Sequence, residues 1–318
     1  MLRHIKLFYN IVLSKELFVE VYIFLYFYTI QLIMKRPLLL FAILTVFSCS
    51  KIEQVIVDGN THPADPTIEN TVIENYVNKL YISTIGREPT PLEFDDNFET
   101  LREENLSQQS REIVIDQVLE KAEYFNNFFK IESANILNGV DTAMINERYN
   151  LYKYFLMNAS GFDSIYIGYE FERLSVLKQA LPYFNTGIIT NTELFKRMVN
   201  NNFFDDINMG TENFVVAMFQ HFLLRYPTGS EVENAKTMVD DGNATVFFET
   251  GNGKDDFISI FFSSDEYYTG QTSILFNRYL FRNPSSEESV NYSLDYINTD
   301  DYKNLQRRIL STNEFIGL

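Results

Sequence analysis

The stretch Val215 to Glu231, VVAMFQHFLLRYPTGSE, decides the fold of this chain, because its grammar is used twice more. Val215, Met218, Phe219 and Phe222 stand at the i, i+3, i+4, i+7 spacing that lays one apolar stripe along a helix. Arg225 ends that helix and Pro227 forbids its continuation. Thr228 with Glu231 then forms a Thr-x-x-Glu capping box that opens the next helix. The same phrase surrounds Arg87, with Val77, Leu80 and Tyr81 before it and Pro89, Thr90 and Glu93 after it. It returns around Arg282, with Leu275, Phe276 and Tyr279 before it and Pro284, Ser285 and Glu288 after it. The shared pattern, Arg-x-Pro-Thr/Ser-x-x-Glu, describes architecture and names no reaction.

A second signature follows each corner. The triplets Glu123-Tyr124-Phe125, Glu266-Tyr267-Tyr268 and Glu314-Phe315-Ile316 are each preceded, five and four residues earlier, by an apolar pair: Val118-Leu119, Phe261-Phe262 and Ile309-Leu310. The phrases stay fixed while the distance between them varies, as expected of a structural repeat with insertions between helices. The expected fold is therefore all-α: tandem helical repeat units with a helical insertion. The expected divisions are a unit at 71–125, a helical insertion at 126–210, a unit at 211–270 and a unit at 271–318. The middle region lacks both signatures and reads either as a degenerate repeat or as an inserted subdomain. Ile165-Tyr166-Ile167 and Thr245 to Phe248 are short β-prone runs that read as hairpin pieces, with no alternating stretch long enough to build a sheet.

These phrases, a helix ending in Leu-Tyr…Gly-Arg-x-Pro-Thr, a capped helix and a closing apolar-apolar-Ser-x-x-Glu-Tyr/Phe, resemble the tandem helical repeats of unknown function in bacterial secreted and surface proteins. They are also distantly similar to phycobilisome linker domains. The resemblance covers roughly Thr71 to Phe125 and Phe214 to Leu318, and it implies a fold and no particular chemistry. The chain departs from it in having no tryptophan and in replacing Gly86 by Leu224 and Phe281 in the later units.

Before the repeats lies an address. In Met34 to Ser50, MKRPLLLFAILTVFSCS, Lys35 and Arg36 precede an apolar run too short to span a bilayer, and the run ends in Val46-Phe47-Ser48-Cys49. This resembles the lipobox of bacterial lipoproteins, which implies cleavage before Cys49, lipidation of its sulfur and an outer-membrane or other envelope location. Cys49 is the single cysteine of the chain, so disulfides, thiolate catalysis and zinc-cysteine sites are excluded once it carries lipid. Residues 1–33 read as an over-extended start upstream of Met34, the alternative being a membrane helix near Phe18 to Ile33. Residues 34–49 are the signal and 50–70 a tether rich in turn residues. That tether lacks the ligand spacing of a calcium loop.

A formal net charge of -17 excludes the clustered cations that nucleic-acid binding requires. Membrane contact is therefore expected through the acyl anchor rather than a basic face. Arg87, Arg225 and Arg282 are expected to cap the carbonyl end of their helices and to pair with Glu93, Glu231 and Glu288. His221 has no Ser, Cys or second His to work with and reads as a partly buried structural histidine. The paired acids (Asp95-Asp96, Asp205-Asp206, Asp240-Asp241, Asp255-Asp256, Asp300-Asp301) invite a glycosidase reading, although neighbours in sequence point in different directions. Gly251 to Asp255 lacks the spacing of a phosphate loop and reads as a turn. The sequence thus carries no metal or cofactor motif. It fits a non-enzymatic interaction or scaffold module for a protein or glycan partner, with a carbohydrate-active hydrolase as the alternative.

Overall fold

The computed structural model describes residues 69–318; the signal, the tether and Cys49 lie outside the described residues. The chain forms α1 (Asn70–Thr84), α2 (Pro91–Glu103), α3 (Gln108–Leu119), α4 (Ala122–Ile136), α5 (Thr142–Asn158) and α6 (Phe162–Lys178). It continues through α7 (Ala180–Asn185), α8 (Asn191–Val199), α9 (Asn202–Ile207), α10 (Thr211–Leu223) and α11 (Gly229–Val239). A two-stranded hairpin, β1 (Asn243–Val246) and β2 (Glu249–Asn252), precedes α12 (Lys254–Ser263), α13 (Asp265–Leu280), α14 (Ser286–Thr299), α15 (Tyr302–Leu310) and α16 (Asn313–Ile316). The fold is all-α.

Each corner is made in the same way. One residue before the arginine enters the left-handed region: Gly86 at φ 82°, Leu224 at φ 56° and Phe281 at φ 56°. The replacement of glycine noted in the sequence therefore changes no geometry. Leu224 and Phe281 accept a backbone that costs a residue with a Cβ about 1 kcal/mol or more. After the corner, Thr90, Thr228 and Ser285 each complete a capping box with Glu93, Glu231 and Glu288, satisfying two helix-end donors reciprocally.

The helix that closes one unit opens the next. Glu266 lies in the first turn of α13, and the same helix ends at the Phe281 corner, so α13 crosses the division expected at residue 270. The middle region follows this plan in altered form. Helix α4 begins with Glu123 and ends just before Asn138, left-handed at φ 52°, after which Asp141 caps α5. Met198 and Val199 stand five and four residues before Phe203, and Phe204 takes the fully buried place held elsewhere by Tyr124, Tyr267 and Phe315. The middle region thus shares a left-handed turn, a helix cap and a buried ring with the three units, lacks their polar signatures and carries a hairpin of α5 and α6.

The array closes on itself. Phe315 meets the Tyr76 ring edge-on at 6.0 Å, and Lys79 donates to the Phe315 carbonyl at 2.6 Å. Arg111 donates to the Ser311 carbonyl at 2.8 Å and to Asn313 Oδ1 at 2.9 Å. Across the centre, Tyr124 Oη donates to Gln306 Oε1 and Gln306 Nε2 to Tyr279 Oη at 2.7 Å. Residues 69–318 therefore enclose one continuous apolar core made from both ends of the described chain.

Of the two β-prone runs, one is helix and the other is the hairpin piece expected. Ile165-Tyr166-Ile167 is helical, inside α6, because it is continuous with the Phe162–Lys178 helix and packs against α5. Thr245 lies in β1, paired with Thr250, and the turn is made by Phe247 and Phe248 at φ 49° and 68°. Gly251 to Asp255 is the end of β2 running into α12, not an isolated turn. A Cβ on Gly251 would lie 2.8 Å from that of Asp256, so the strand can cross the helix only without a side chain there.

Candidate functional site

The arginines predicted from sequence do pair with the glutamates of their own motifs. Arg87 reaches both oxygens of Glu93 at 2.8 and 3.0 Å, Arg225 those of Glu231 at 2.6 and 2.9 Å, and Arg282 those of Glu288 at 2.7 and 2.8 Å. They do not cap the preceding helix. Each donates instead to the carbonyl of the next residue, Glu88, Tyr226 or Asn283, because the left-handed step has turned the chain away from the helix axis. The helix end is capped from elsewhere: Asn127 donates to the Thr84 carbonyl at 3.0 Å, and Gln271 donates to that of Phe222 at 3.4 Å.

The sequence reading missed the second partner of each arginine. Arg87 also binds Glu123 at 3.1 Å, Arg282 binds Glu314 at 2.6 Å, and Arg225 binds Glu266 through Nε as well as through Nη2 at 2.8 Å. The signal was present, since the two signatures always travel together, but 32 to 41 residues separate their members. Each guanidinium also lies over an aromatic face one turn and a half back, Tyr81, Phe219 or Phe276. These hydrogen bonds hold the Glu231 and Glu288 carboxyls down at about 2. Glu93 is likewise lowered, by Arg87 first, and Lys121 adds a bond at 2.9 Å.

Every member of that set is replaced in the middle unit. Counted from left-handed Asn138, Ser133 stands for the ring and Gly139 for the arginine. Counted from the cap Asp141, which comes one residue sooner than in the other corners, Met144 stands for the capping-box glutamate; and Phe203 stands for the distant one, after Met198-Val199. The corner survives through Asp141, which accepts from the Met144 amide, and through Ser133, which donates to the Val140 carbonyl.

What the middle unit gains is a polar cleft. Glu132, in α4 where the other units carry an apolar residue, pairs with Arg278 of α13 at 2.6 Å. With His221 and Gln220 of α10, Gln271 of α13 and Asn135 of α4, they line a cleft of about 360 Å³ floored by Ile136, Phe195 and Phe222. Burial works against the Arg278 charge, but Glu132 with the nearby Tyr302 and Tyr279 together more than offset it, so the guanidinium is held protonated. Burial also lowers His221, with Glu132 opposing weakly, so its imidazole is neutral at pH 7. His221 is partly buried among Phe204 and Phe222, and it forms one wall of the cleft.

A second cleft, of about 460 Å³, lies between α6, α8 and α12 and includes Glu172, Glu193, Arg197 and Asp255. Glu193 is held by Arg197 at 2.8 Å, and Asp255 accepts from Asn200 at 2.8 Å. Beside it, buried Arg173 joins Glu170 at 2.9 Å to Asp205 at 2.6 Å, and Lys254 binds the other Asp205 oxygen. The remaining paired acids are spread over the molecule. Asp206 binds Arg148, Asp240 accepts from Thr211, Asp256 accepts from the Asn252 amide and Asp300 accepts from Thr192. Among the described residues no group of three or more His, Cys, Asp and Glu is placed to hold a metal ion, and no helix is long and apolar enough to cross a membrane.

Beyond both clefts the hairpin of α5 and α6 projects from the core. From Leu151 to Tyr169 no residue is buried, yet Tyr154, Met157, Phe162, Ile165 and Tyr166 are all exposed. In the first repeat signature the neighbouring rings Tyr124 and Phe125 are both buried, Phe184 of α7 covering Phe125 edge-on at 5.1 Å. In comparisons with known proteins, no family model, curated sequence or solved structure matches this chain.

Proposed function

We propose that this chain is an envelope lipoprotein, held to the outer membrane through Cys49, whose repeat body is a non-enzymatic interaction or scaffold module. The observation that carries the reading is the cleft around Glu132 and Arg278. Glu132, at a position where the other units carry an apolar residue, pairs with Arg278 of α13, and Asn135 of α4, Gln220 and His221 of α10 and Gln271 of α13 gather round that pair. A mixed floor of rings and rim of amides suits a polar segment of protein or glycan, which can exchange hydrogen bonds with the amides while its apolar parts cover Phe195 and Phe222.

The test uses the native lipoprotein, recovered with its partners from solubilised envelope. Asn135→Trp with Gln220→Trp fills the exposed rim without touching the core. The expected result is loss of partner capture at an unchanged melting temperature; capture unaffected by both substitutions contradicts the reading. The anchor is tested separately by mass spectrometry of the N-terminal peptide, expected to begin at an acylated Cys49.

A second reading, a carbohydrate-active hydrolase, has one observation in its favour: Glu172, Glu193 and Asp255 share the larger cleft. Turnover of envelope glycans abolished by Glu172→Gln supports that reading over the first.

A further inference from the structure

The hairpin of α5 and α6 raises a question that neither cleft answers. A broad apolar helix face needs a core, a partner or lipid to cover it, and the outer half of this hairpin packs into no core. Its order along the axis is graded. Next to the short polar apex, Asn158 to Gly161, stand Met157, 76% exposed, and Phe162, 89% exposed. Ile165 follows, and then the exposed tyrosines Tyr154, Tyr166 and Tyr169. Charges are sparse near the tip, with Lys153 and Asp163 alone between Leu151 and Tyr169, and gather towards the base, where Arg148 binds Asp206 and Arg173 binds Glu170 and Asp205.

We infer that the hairpin tip is a second membrane contact, which inserts into the interfacial layer of a lipid bilayer. Three observations favour lipid over a protein groove. The first is the grading itself: just behind the short Ala159-Ser160-Gly161 turn lie aliphatic and phenyl groups, and tyrosines stand three to seven residues behind those. At 1.5 Å per residue that is about 5–10 Å, the depth to which interfacial helices bury their apolar face, with tyrosine at headgroup level. The second is coverage. Leu151, Tyr154, Phe155 and Met157 spread over nearly half the circumference of α5, while Phe162, Ile165 and Tyr166 face outward from α6. A groove covers one side of such a pair, whereas a bilayer surrounds its end. The third is charge. In a chain of net charge -17, Leu151 to Tyr169 carries one Lys and one Asp, Lys153 and Asp163. The tip alone can therefore approach anionic headgroups without repulsion. Asp163 sits in the first turn of α6, where the positive helix end favours it. The base is braced by the buried Arg173 cluster and by Tyr149 against Phe171 at 4.9 Å, so the tip is presented on a rigid stalk.

The experiment is flotation of a chain beginning at Ser50, which keeps the whole core and lacks the acylated cysteine, so that the result is independent of the anchor. Vesicles of phosphatidylethanolamine and phosphatidylcholine are expected to carry the protein upward. Met157→Asp with Phe162→Asp should cut the bound fraction about tenfold at an unchanged melting temperature, since both side chains are exposed. Failure of the unsubstituted chain to float overturns the inference, as does flotation that survives both substitutions. A concentration-dependent dimer without vesicle binding, abolished by the same substitutions, also overturns it and assigns the tip to a second copy. In each of these cases the cleft reading stands, because its variants and its readout are different.

Discussion

The Arg225 corner and the Gly139 corner turn the chain in the same direction with opposite means. At Arg225 one guanidinium gathers two carboxylates from the ends of a unit and lies over Phe219. At Gly139 all of those groups have been lost together, and the turn rests on Asp141 and on Ser133 reaching the Val140 carbonyl. The difference teaches that the ion cluster is not what bends the chain. The left-handed residue and the helix cap do that in both places. The cluster fastens a closing helix to its own corner, and where it is absent the unit is free to open its two middle helices into a long hairpin and to spend its former apolar position on Glu132.

The largest effect expected from breaking this arrangement lies at Gly270. A Cβ there would sit 2.1 Å from the Phe222 carbonyl oxygen, so α13 can approach α10 only with glycine at the crossing. Gly270→Ala should destabilise by about 1–3 kcal/mol, lowering the melting temperature by roughly 2–10 °C. The equivalent residue of the first unit, Asn127, has room for a side chain that bonds the Thr84 carbonyl, and Asn127→Ala should cost less, about 1 kcal/mol.

Next in size is Arg225→Ala, which leaves Glu231 and Glu266 facing each other. Both are partly exposed, so solvent screening holds the cost to about 1–2 kcal/mol by chemical denaturation. Arg282→Ala, in a more exposed cluster, should cost less.

Acid sharpens the comparison. The Glu231 and Glu288 carboxyls are held at about 2 in the folded protein, by their arginines first and then by the capping-box bonds, against an ordinary value of 4.5. Their stabilisation is complete above the unfolded value and is lost as pH falls from about 4.5 to about 2. His221 works in a higher window: because burial lowers it, its contribution is complete above the unfolded value of 6.5 and declines as pH drops below it. Denaturant midpoints across pH 7 to 2 should therefore fall in two steps. His221→Gln should remove the upper step and leave the lower.

The smallest effect is at the corner residue itself. Leu224→Gly relieves left-handed strain at an exposed position and loses no buried contact, so a gain of at most about 1 kcal/mol is expected after the entropy of a more flexible unfolded chain is subtracted. Gly86→Leu should destabilise instead, because its Cβ would press within 2.8 Å of Asn127 Oδ1.

The corners were legible because the whole statement, Arg-x-Pro-Thr-x-x-Glu, fits within seven residues and each residue acts on its neighbours. The pairing of Arg225 with Glu266 was visible only as two signatures that kept company; contact across 41 residues leaves no local trace. The middle unit was hidden because Ser133, Gly139, Met144 and Phe203 erased all of its markers at once, while its cap, its left-handed Asn138 and its buried Phe204 use residues common in any helical protein. The hairpin was legible as helix but not as surface, since an exposed apolar stripe and a buried one are written in the same letters. Glu132 and Arg278 could not be paired from sequence at all: 146 residues separate them, and neither belongs to a motif.

The most direct test is a double-mutant cycle between Arg225 and Glu266, by denaturant unfolding of Arg225→Ala, Glu266→Ala and the double variant. If one arginine ties the two ends of a repeat together, the effects are non-additive, with a coupling of about 0.5 kcal/mol or more. Strict additivity of the two substitutions contradicts it.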